Sequence, residues 1–291
     1  TGITGVDGLA TAKVTSLKAA TYTVTARIQE SGNSAQTTSR FIADPSTATI
    51  IGHNLQITPN GVIANGKDID GVEATVTDAN GNVVPGMAVS FVIAPGASIT
   101  TLVGTTGADG KAKASATSTV VGAYKVTASV SGHSVSETAT FAPDGGSATI
   151  RNGALTVTTD KAKANGADTN AVKAIVTDAN SNVIPGAVVT FSANNGARVT
   201  VVSATTDSMG QATTTLTNTT AGVSTVTAKI NNASPTVDTT FMPDNSTATI
   251  ENGALTVTTD KAKSNGTDAN TVKAVVTDAY GNVVPGSTVN F

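Results

Sequence analysis

Cysteine and tryptophan are both absent from this chain of 291 residues, and aromatic residues make up only 3% of it. Without cysteine there is no disulfide framework and no thiol nucleophile, and the absence is neutral about cellular compartment. With so few aromatics, each core has to be built from valine, isoleucine, leucine and alanine. We therefore expect modest stability for each folding unit.

Charge is scarce as well. Charged residues are 13% of the chain, and the formal net charge at neutral pH is −3. A chain without a basic excess has no field to attract a polyanion, which argues against nucleic acid as a partner. No run of 18 apolar residues is present, so the sequence predicts no membrane segment in this chain.

Helical periodicity is also missing, since no ten-residue stretch has apolar residues at helical spacing. Short segments instead alternate apolar and polar residues: Val72, Ala74 and Val76 are separated by polar residues. That period of two is typical of a strand with one buried face. The sequence predicts an all-β protein.

One segment recurs at a spacing of 100 residues: 77–86 returns as 177–186 and as 277–286. In the first copy, Asn80-Gly81 supplies residues that tolerate positive φ, as a tight hairpin turn requires. Pro85 has no amide hydrogen for a ladder, so it marks an edge or a bulge. Each copy therefore predicts a strand, a turn, a bulge and a second strand.

The repeat predicts complete units at 44–143 and 144–243, preceded by the back half of a unit at 1–43 and followed by a front half at 244–291. For unit 44–143 we predict strands at about 47–58, 71–78, 83–94, 98–106, 111–119, 123–131 and 134–142. Seven short strands in 100 residues are typical of an immunoglobulin-like sandwich. Tyr124 opens the sixth strand, where a hydroxyl often ties down a corner, whereas Ser224 stands in the next unit.

Short junctions separate the units, and each contains a proline, as in Pro45, Pro143 and Pro243. Proline fixes its own φ and restricts the preceding residue, so such a junction is not a flexible coil. The predicted fold is all-β, with tandem immunoglobulin-like β-sandwich domains arranged as an elongated rod. We expect the rod to be monomeric.

These units resemble the bacterial immunoglobulin-like repeats of the intimin and invasin family of outer-membrane adhesins, also called inverse autotransporters. The motifs that carry the resemblance are the Asn65-Gly66 step, 76–86, Val89-x-Phe91, 106–112 and 122–128. The resemblance covers the whole chain and implies a stalk at the cell surface, outside the outer membrane, that projects a distal binding domain. It implies a host cell-surface or matrix protein as partner, bound through regions outside this chain.

An alternative is that the repeats bind the host receptor or matrix protein themselves. Loops that differ between matched units, such as 94–97 and 193–196, would then make the contact, because recognition sits on loops carried by a rigid frame. A carbohydrate-binding accessory domain is a weaker hypothesis, since the only exposed aromatic expected is Tyr280 at a hairpin tip.

Catalytic and metal sites are not predicted. His53 and His133 do not recur at the repeat spacing, so both are expected to be surface residues, and no enzyme activity or cofactor follows. Aspartates recur at loop ends, where calcium would need six to eight oxygen ligands but where aspartate ordinarily caps a turn. We expect turn capping. These residues are Asp78, Asp109, Asp144, Asp178, Asp207 and Asp244.

The two half units expose sheet edges and half a core, which is a hazard for pairing with other chains. Two explanations remain: the neighbouring residues have been cut away, or 244–291 of one molecule completes 1–43 of another. The first is the one we favour.

Overall fold

Only strands and short turns occur in the computed structural model, which describes residues 1–291, and the all-β prediction is confirmed. The four helical turns are of the 3₁₀ type and three residues long: Pro45–Thr47, Gly52–Asn54, Gly145–Ser147 and Asn245–Thr247. None of the helical turns could cross a membrane. The chain forms two compact units, Thr1–Ala142 and Pro143–Phe291.

The first unit contains ten strands. They are β1 (Thr21–Arg27), β2 (Ser34–Arg40), β3 (Leu55–Thr58), β4 (Val62–Ile63), β5 (Asp70–Thr75), β6 (Ser90–Ile93), β7 (Ser98–Val103), β8 (Lys111–Thr117), β9 (Gly122–Val130) and β10 (His133–Ala142). After the β1-β2 pair, the strands form two sheets, β3-β5-β8-β7 and β4-β10-β9-β6. Val72 of β5 and Val126 of β9 lie in one core, so the two sheets make a sandwich.

The second unit repeats this architecture. Its strands are β11 (Leu155–Thr159), β12 (Asn170–Ile175), β13 (Val188–Ala193), β14 (Arg198–Val199), β15 (Ser203–Thr205), β16 (Gln211–Thr217), β17 (Gly222–Lys229), β18 (Thr236–Phe241), β19 (Leu255–Thr259) and β20 (Thr271–Ala274). The sheets are β11-β12-β16-β14, β15-β13-β17-β18 and the pair β19-β20. A separate core, which includes Phe191 and Phe241, lies between the two larger sheets.

Two predicted strands are shorter than expected. The span 47–58 keeps only β3, because Asp44 caps a 3₁₀ turn with Pro45 in its first turn, and a second 3₁₀ turn follows. The span 83–94 keeps only β6, because Pro85 cannot donate to a ladder and only isolated bridges form before it. The sequence also missed β4, which pairs in parallel with the end of β10.

The half units hold two strands each. In 244–291, β20 pairs only with β19, whereas its counterpart β12 pairs with both β11 and β16. Leu255 is consequently 57% exposed and its counterpart Leu155 only 6%.

The corner tyrosine is confirmed: the Tyr124 hydroxyl donates to the carbonyl oxygen of Val120 at 3.0 Å. Where Ser224 replaces it, Asn218 closes the corner. The side-chain amide of Asn218 donates to the carbonyl oxygen of Asn195 at 2.9 Å and to the Ser224 hydroxyl at 3.3 Å. A longer side chain just after β16 thus compensates for a shorter one on β17.

Candidate functional site

Within each compact unit, a copy of the recurring hairpin contacts the repeat that precedes it in the chain. Its loop, 78–82, is closed by the Asp78 amide, which donates to the carbonyl oxygen of Asn82, and by the Gly81 amide, which donates to that of Asp78. Only Gly81 of the expected Asn-Gly pair has positive φ, at 82°. The loop is therefore a three-residue turn with a left-handed last residue, instead of a two-residue turn.

Asp78 lies beneath this loop and is 4% exposed. Its Oδ1 accepts hydrogen bonds from the amides of Asn80 and Asn82, both at 2.9 Å. Its Oδ2 accepts from the amide of Asp44 in the junction, at 3.1 Å, and from the side-chain amide of Asn82, at 2.9 Å. Four donors therefore satisfy the carboxylate, one of them from the junction at the start of the unit.

Burial by itself would raise the pKa of Asp78, but the hydrogen bonds from the Asn82 side chain and from the three main-chain amides outweigh it. The pKa of this carboxyl is held below its ordinary value, because each donor favours the charged form. The same balance lowers the pKa of Asp178 and of Asp278. An ionised carboxylate thus anchors the hairpin in every copy.

Asn82 extends the network to the preceding half unit. Its Oδ1 accepts from the amide of Ala19 at 2.8 Å, and its Nδ2 donates to the carbonyl oxygen of Leu17 at 3.0 Å. One half-buried side-chain amide therefore bonds to both a donor and an acceptor of the loop 17–19, in the manner of a neighbouring strand.

The compact unit Pro143–Phe291 contains the same arrangement at the hairpin copy that lies 200 residues later in the chain. The Oδ1 of Asn282 accepts from the amide of Ala221 at 2.8 Å, and its Nδ2 donates to the carbonyl oxygen of Thr219 at 2.9 Å. Asp278 accepts from the amide of Asp244 at 3.0 Å. We call each set of a junction aspartate, a buried hairpin aspartate and a hairpin asparagine the junction clasp: Asp44, Asp78 and Asn82, and Asp244, Asp278 and Asn282.

An ion pair adds to the second clasp. Lys163, in the segment between β11 and β12, places its Nζ 3.0 Å from Oδ1 of Asp244. Hydrogen bonds from Ser246 and Lys163 hold the pKa of Asp244 below its ordinary value. Because the lysine side chain is 46% exposed, the pair contributes little stability by itself.

The aspartates considered as calcium ligands accept hydrogen bonds from turn amides. Oδ1 of Asp109 accepts from the amide of Lys111, and Oδ1 of Asp207 accepts from those of Met209 and Gln211. They do not converge, since no group of three or more histidine, cysteine, aspartate or glutamate side chains could hold a metal ion.

The two histidines, His53 and His133, are exposed and lie in a 3₁₀ turn and at the start of β10, and Tyr280 is 52% exposed, as expected. Sequence reasoning missed the role of Asn82. A signal was available: asparagine recurs at 82, 182 and 282, whereas the residue two positions earlier changes to tyrosine in the last copy.

A family model described as bacterial Ig-like domain (group 1) matches residues 53–142, 152–242 and 252–291, which together make up most of the chain. The chain belongs to this family. Over 192 residues it is 35% identical to the inverse autotransporter adhesin YeeJ of Escherichia coli strain K12, a match that covers 64% of this chain and 8% of that protein. The chain thus spans only a small part of this relative, and the resemblance to the intimin and invasin adhesins is confirmed.

Two solved structures show the same fold. Yersinia pseudotuberculosis InvD is 20% identical, with a TM-score of 0.55, and the match covers 83% of this chain and 73% of that one. The Escherichia coli adhesin FdeC is 22% identical, with a TM-score of 0.55, and the match covers 84% and 79%. YeeJ and FdeC are named as adhesins, and none of these three relatives is named as an enzyme.

Proposed function

We propose that this chain is a stalk segment of a bacterial surface adhesin, with Ig-like units at 44–143 and 144–243 and half units at 1–43 and 244–291. In this proposal the stalk stands at the cell surface and holds a distal binding domain away from it. The partner is a host cell-surface or matrix protein bound outside this chain. The adhesins YeeJ and FdeC among its relatives support this placement.

The observation that carries the proposal is the junction clasp. A spacer needs joints that resist bending, and a flexible linker would let neighbouring units move independently. Here a proline-containing junction donates its Asp44 amide to a buried carboxylate, and Asn82 makes two main-chain bonds to the loop 17–19. The bond from Asp44 is partly buried and the two bonds of Asn82 are exposed, so each contributes about 0.5–1 kcal/mol, and together they favour one arrangement of the joint.

The alternative, receptor binding by the loops 94–97 and 193–196, gains no support from their contacts. The carbonyl oxygen of Gly96 accepts from Ser118, and Asn194 and Asn195 bond to main-chain groups of β17. These polar groups already have hydrogen-bond partners within their own unit.

The first prediction tests the stiffness of the joint at the first junction clasp. The absence of cysteine allows two spin labels to be placed cleanly, at Thr25→Cys and Lys113→Cys, both exposed positions on either side of the first clasp. We expect a narrow distance distribution by pulsed electron resonance that broadens clearly in Asn82→Ala. Asn33→Ala is the matched control, because the Asn33 side chain is exposed and makes no hydrogen bond.

An equally broad distribution in the parent chain and in Asn82→Ala would contradict the stiff joint. A cell-binding assay distinguishes a spacer from a receptor-binding module. The 291-residue chain is expected not to bind host cells. The same chain extended by its downstream region is expected to bind them. Binding by the 291-residue chain alone would favour the alternative.

A further inference from the structure

Asp70, the first residue of β5, is fully buried, at 0% exposed. Neither oxygen of its carboxyl group has a hydrogen-bond partner. Every other buried aspartate described above is satisfied by several donors. A buried charge without partners is costly, so this side chain requires a physical explanation.

The matched position in the next unit is Asn170, which is equally buried but fully bonded. Its Oδ1 accepts from the amide of Ala162 at 2.9 Å, and its Nδ2 donates to the carbonyl oxygen of Thr240 at 2.9 Å. In the last half unit, Asn270 accepts from the amide of Ala262 at 2.9 Å. Asparagine thus ties the loop before the strand to the rest of the unit in both other copies.

The two complete units share two main-chain hydrogen bonds around this site. The Gly61 amide donates to the carbonyl oxygen of Thr140, and the Lys161 amide donates to that of Thr240, both at 3.0 Å. Three residues further on, the Ala64 amide donates to the carbonyl oxygen of Ala142 at 2.8 Å, and the Ala164 amide donates to that of Met242 at 2.7 Å. At the position of Asp70 itself, aspartate has an oxygen where asparagine has its donor. Ten residues earlier the change is reversed: Asn60 accepts from the amide of Thr140, and Asp160 accepts from that of Thr240, both at 2.8 Å.

We propose that Asp70 makes the segment 59–64 a proton-dependent latch, held firmly to β10 when the carboxyl is protonated and loosely when it is ionised. The protonated carboxyl has one hydroxyl donor, which takes the place of the asparagine amide and donates to the carbonyl oxygen of Thr140. The ionised carboxylate has no donor and turns an oxygen toward that carbonyl oxygen, which is repulsive.

Burial raises the pKa of Asp70, and the nearby amides of Val62 and Gly61 offset only part of this effect. No charged side chain contributes to the shift. The charged residues on the surrounding elements are Lys67 and Asp68 in the preceding loop, Lys113 on β8 and Glu137 on β10, all exposed, and Glu73 on β5, which pairs with Lys111 and Lys113.

The sign of the pH dependence follows from the raised pKa. The folded state binds the proton more tightly than the unfolded state, so the stabilisation is complete below the ordinary value of 3.8 and is lost as pH rises through the folded pKa. Protonation of Asp70 at low pH therefore stabilises unit 44–143. Unit 144–243, with Asn170, has no such dependence there.

Hydrogen exchange followed by mass spectrometry on the full chain tests the latch, from about pH 4 to about pH 9, a range set by the shifts that burial produces. After correction for intrinsic rates, we expect opening of 59–64 and 138–142 to increase with pH in the parent chain. Asp70→Asn is expected to lower opening at the alkaline end about tenfold. Asn170→Asp is expected to create the same pH dependence in 159–164 and 238–242.

Unchanged or faster exchange of 59–64 in Asp70→Asn at the alkaline end would overturn the proposal. So would a carbon-13 titration that places the pKa of the Asp70 carboxyl at or below its ordinary value. The isosteric Asp70→Asn keeps the test informative even if Asn170→Asp fails to fold, and 159–164 in the parent chain is an internal control.

Discussion

Gly110 and Gly81 of the first complete unit both have positive φ, but of these two only Gly110 is also enclosed by neighbouring atoms. Gly110 has φ of +72°, and a Cβ built on it would lie 2.8 Å from Cβ of Val83 and 2.9 Å from the carbonyl oxygen of Val76. Gly81 has φ of +82° and no atom within 4 Å of such a Cβ. Both positions require positive φ, but only Gly110 lacks room for a side chain.

At this residue scale we predict that Gly110→Ala destabilises its unit by about 3 kcal/mol, since left-handed strain adds to overpacking against main chain. Gly81→Ala, the matched control, is expected to cost about 1 kcal/mol from strain alone. Chemical denaturation of the full chain with hydrogen exchange of 71–77 measures both. Equal costs for the two variants would show that the close contacts are relieved without penalty.

At the scale of the element, the hairpin 77–83 depends on a charge beneath it. The carboxylate of Asp78 accepts four hydrogen bonds, whereas the exposed Asp109 of the next turn accepts a single one, from Lys111. Both aspartates cap turns, and only the buried one also connects its turn to the junction residue Asp44.

Asp78→Asn is predicted to destabilise the hairpin by about 2 kcal/mol, because an amide nitrogen replaces the oxygen that accepts from Asp44. Its lowered pKa means that the parent's stabilisation is present above the ordinary value of 3.8 and is lost as pH falls through the folded pKa. Hydrogen exchange of 77–83 should therefore rise in acid in the parent and not in the variant. Asp109→Asn, as control, should keep the parent's profile; an acid profile in Asp78→Asn like the parent's would exclude this carboxylate as the cause.

On the scale of the whole molecule, the chain has two separate cores. The first is built from residues between 43 and 141, and the second from residues between 148 and 241. Phe91 is at the edge of the first core, at 9% exposed, and Phe191 lies within the second, at 2% exposed. Repeat proteins with such cores unfold unit by unit, with stability set by each unit and its neighbours.

We predict that Phe191→Ala costs unit 144–243 about 4 kcal/mol and leaves protection of the first core unchanged. Phe91→Ala should do the reverse, with the loss confined to 44–143. Calorimetry and hydrogen exchange of the full chain measure both effects. Simultaneous loss of protection in both cores from either substitution would refute the division into these domains.

The features that could be predicted from the sequence depend on residues that are close together in the chain. Alternation predicted β5 and β8 to β10, and the position of Tyr124 predicted that its hydroxyl ties down a corner, because each depends on neighbours in sequence. The two-residue β4 was not predictable, since its pairing partner lies nearly 80 residues away on β10. The clasp was missed for the same reason: Asn82 and Leu17 are 65 residues apart.

The segment Leu-Thr-Val-Thr-Thr occurs identically at Leu155–Thr159 and Leu255–Thr259, and it forms a strand in both places. The sequence by itself determined that much, because strand formation follows from β-branched residues and the adjacent strand. Only the tertiary structure decided that Val157 is partly buried and Val257 is 60% exposed. Burial depends on which distant strands cover a face, and β16 extends the first sheet while nothing extends β19-β20.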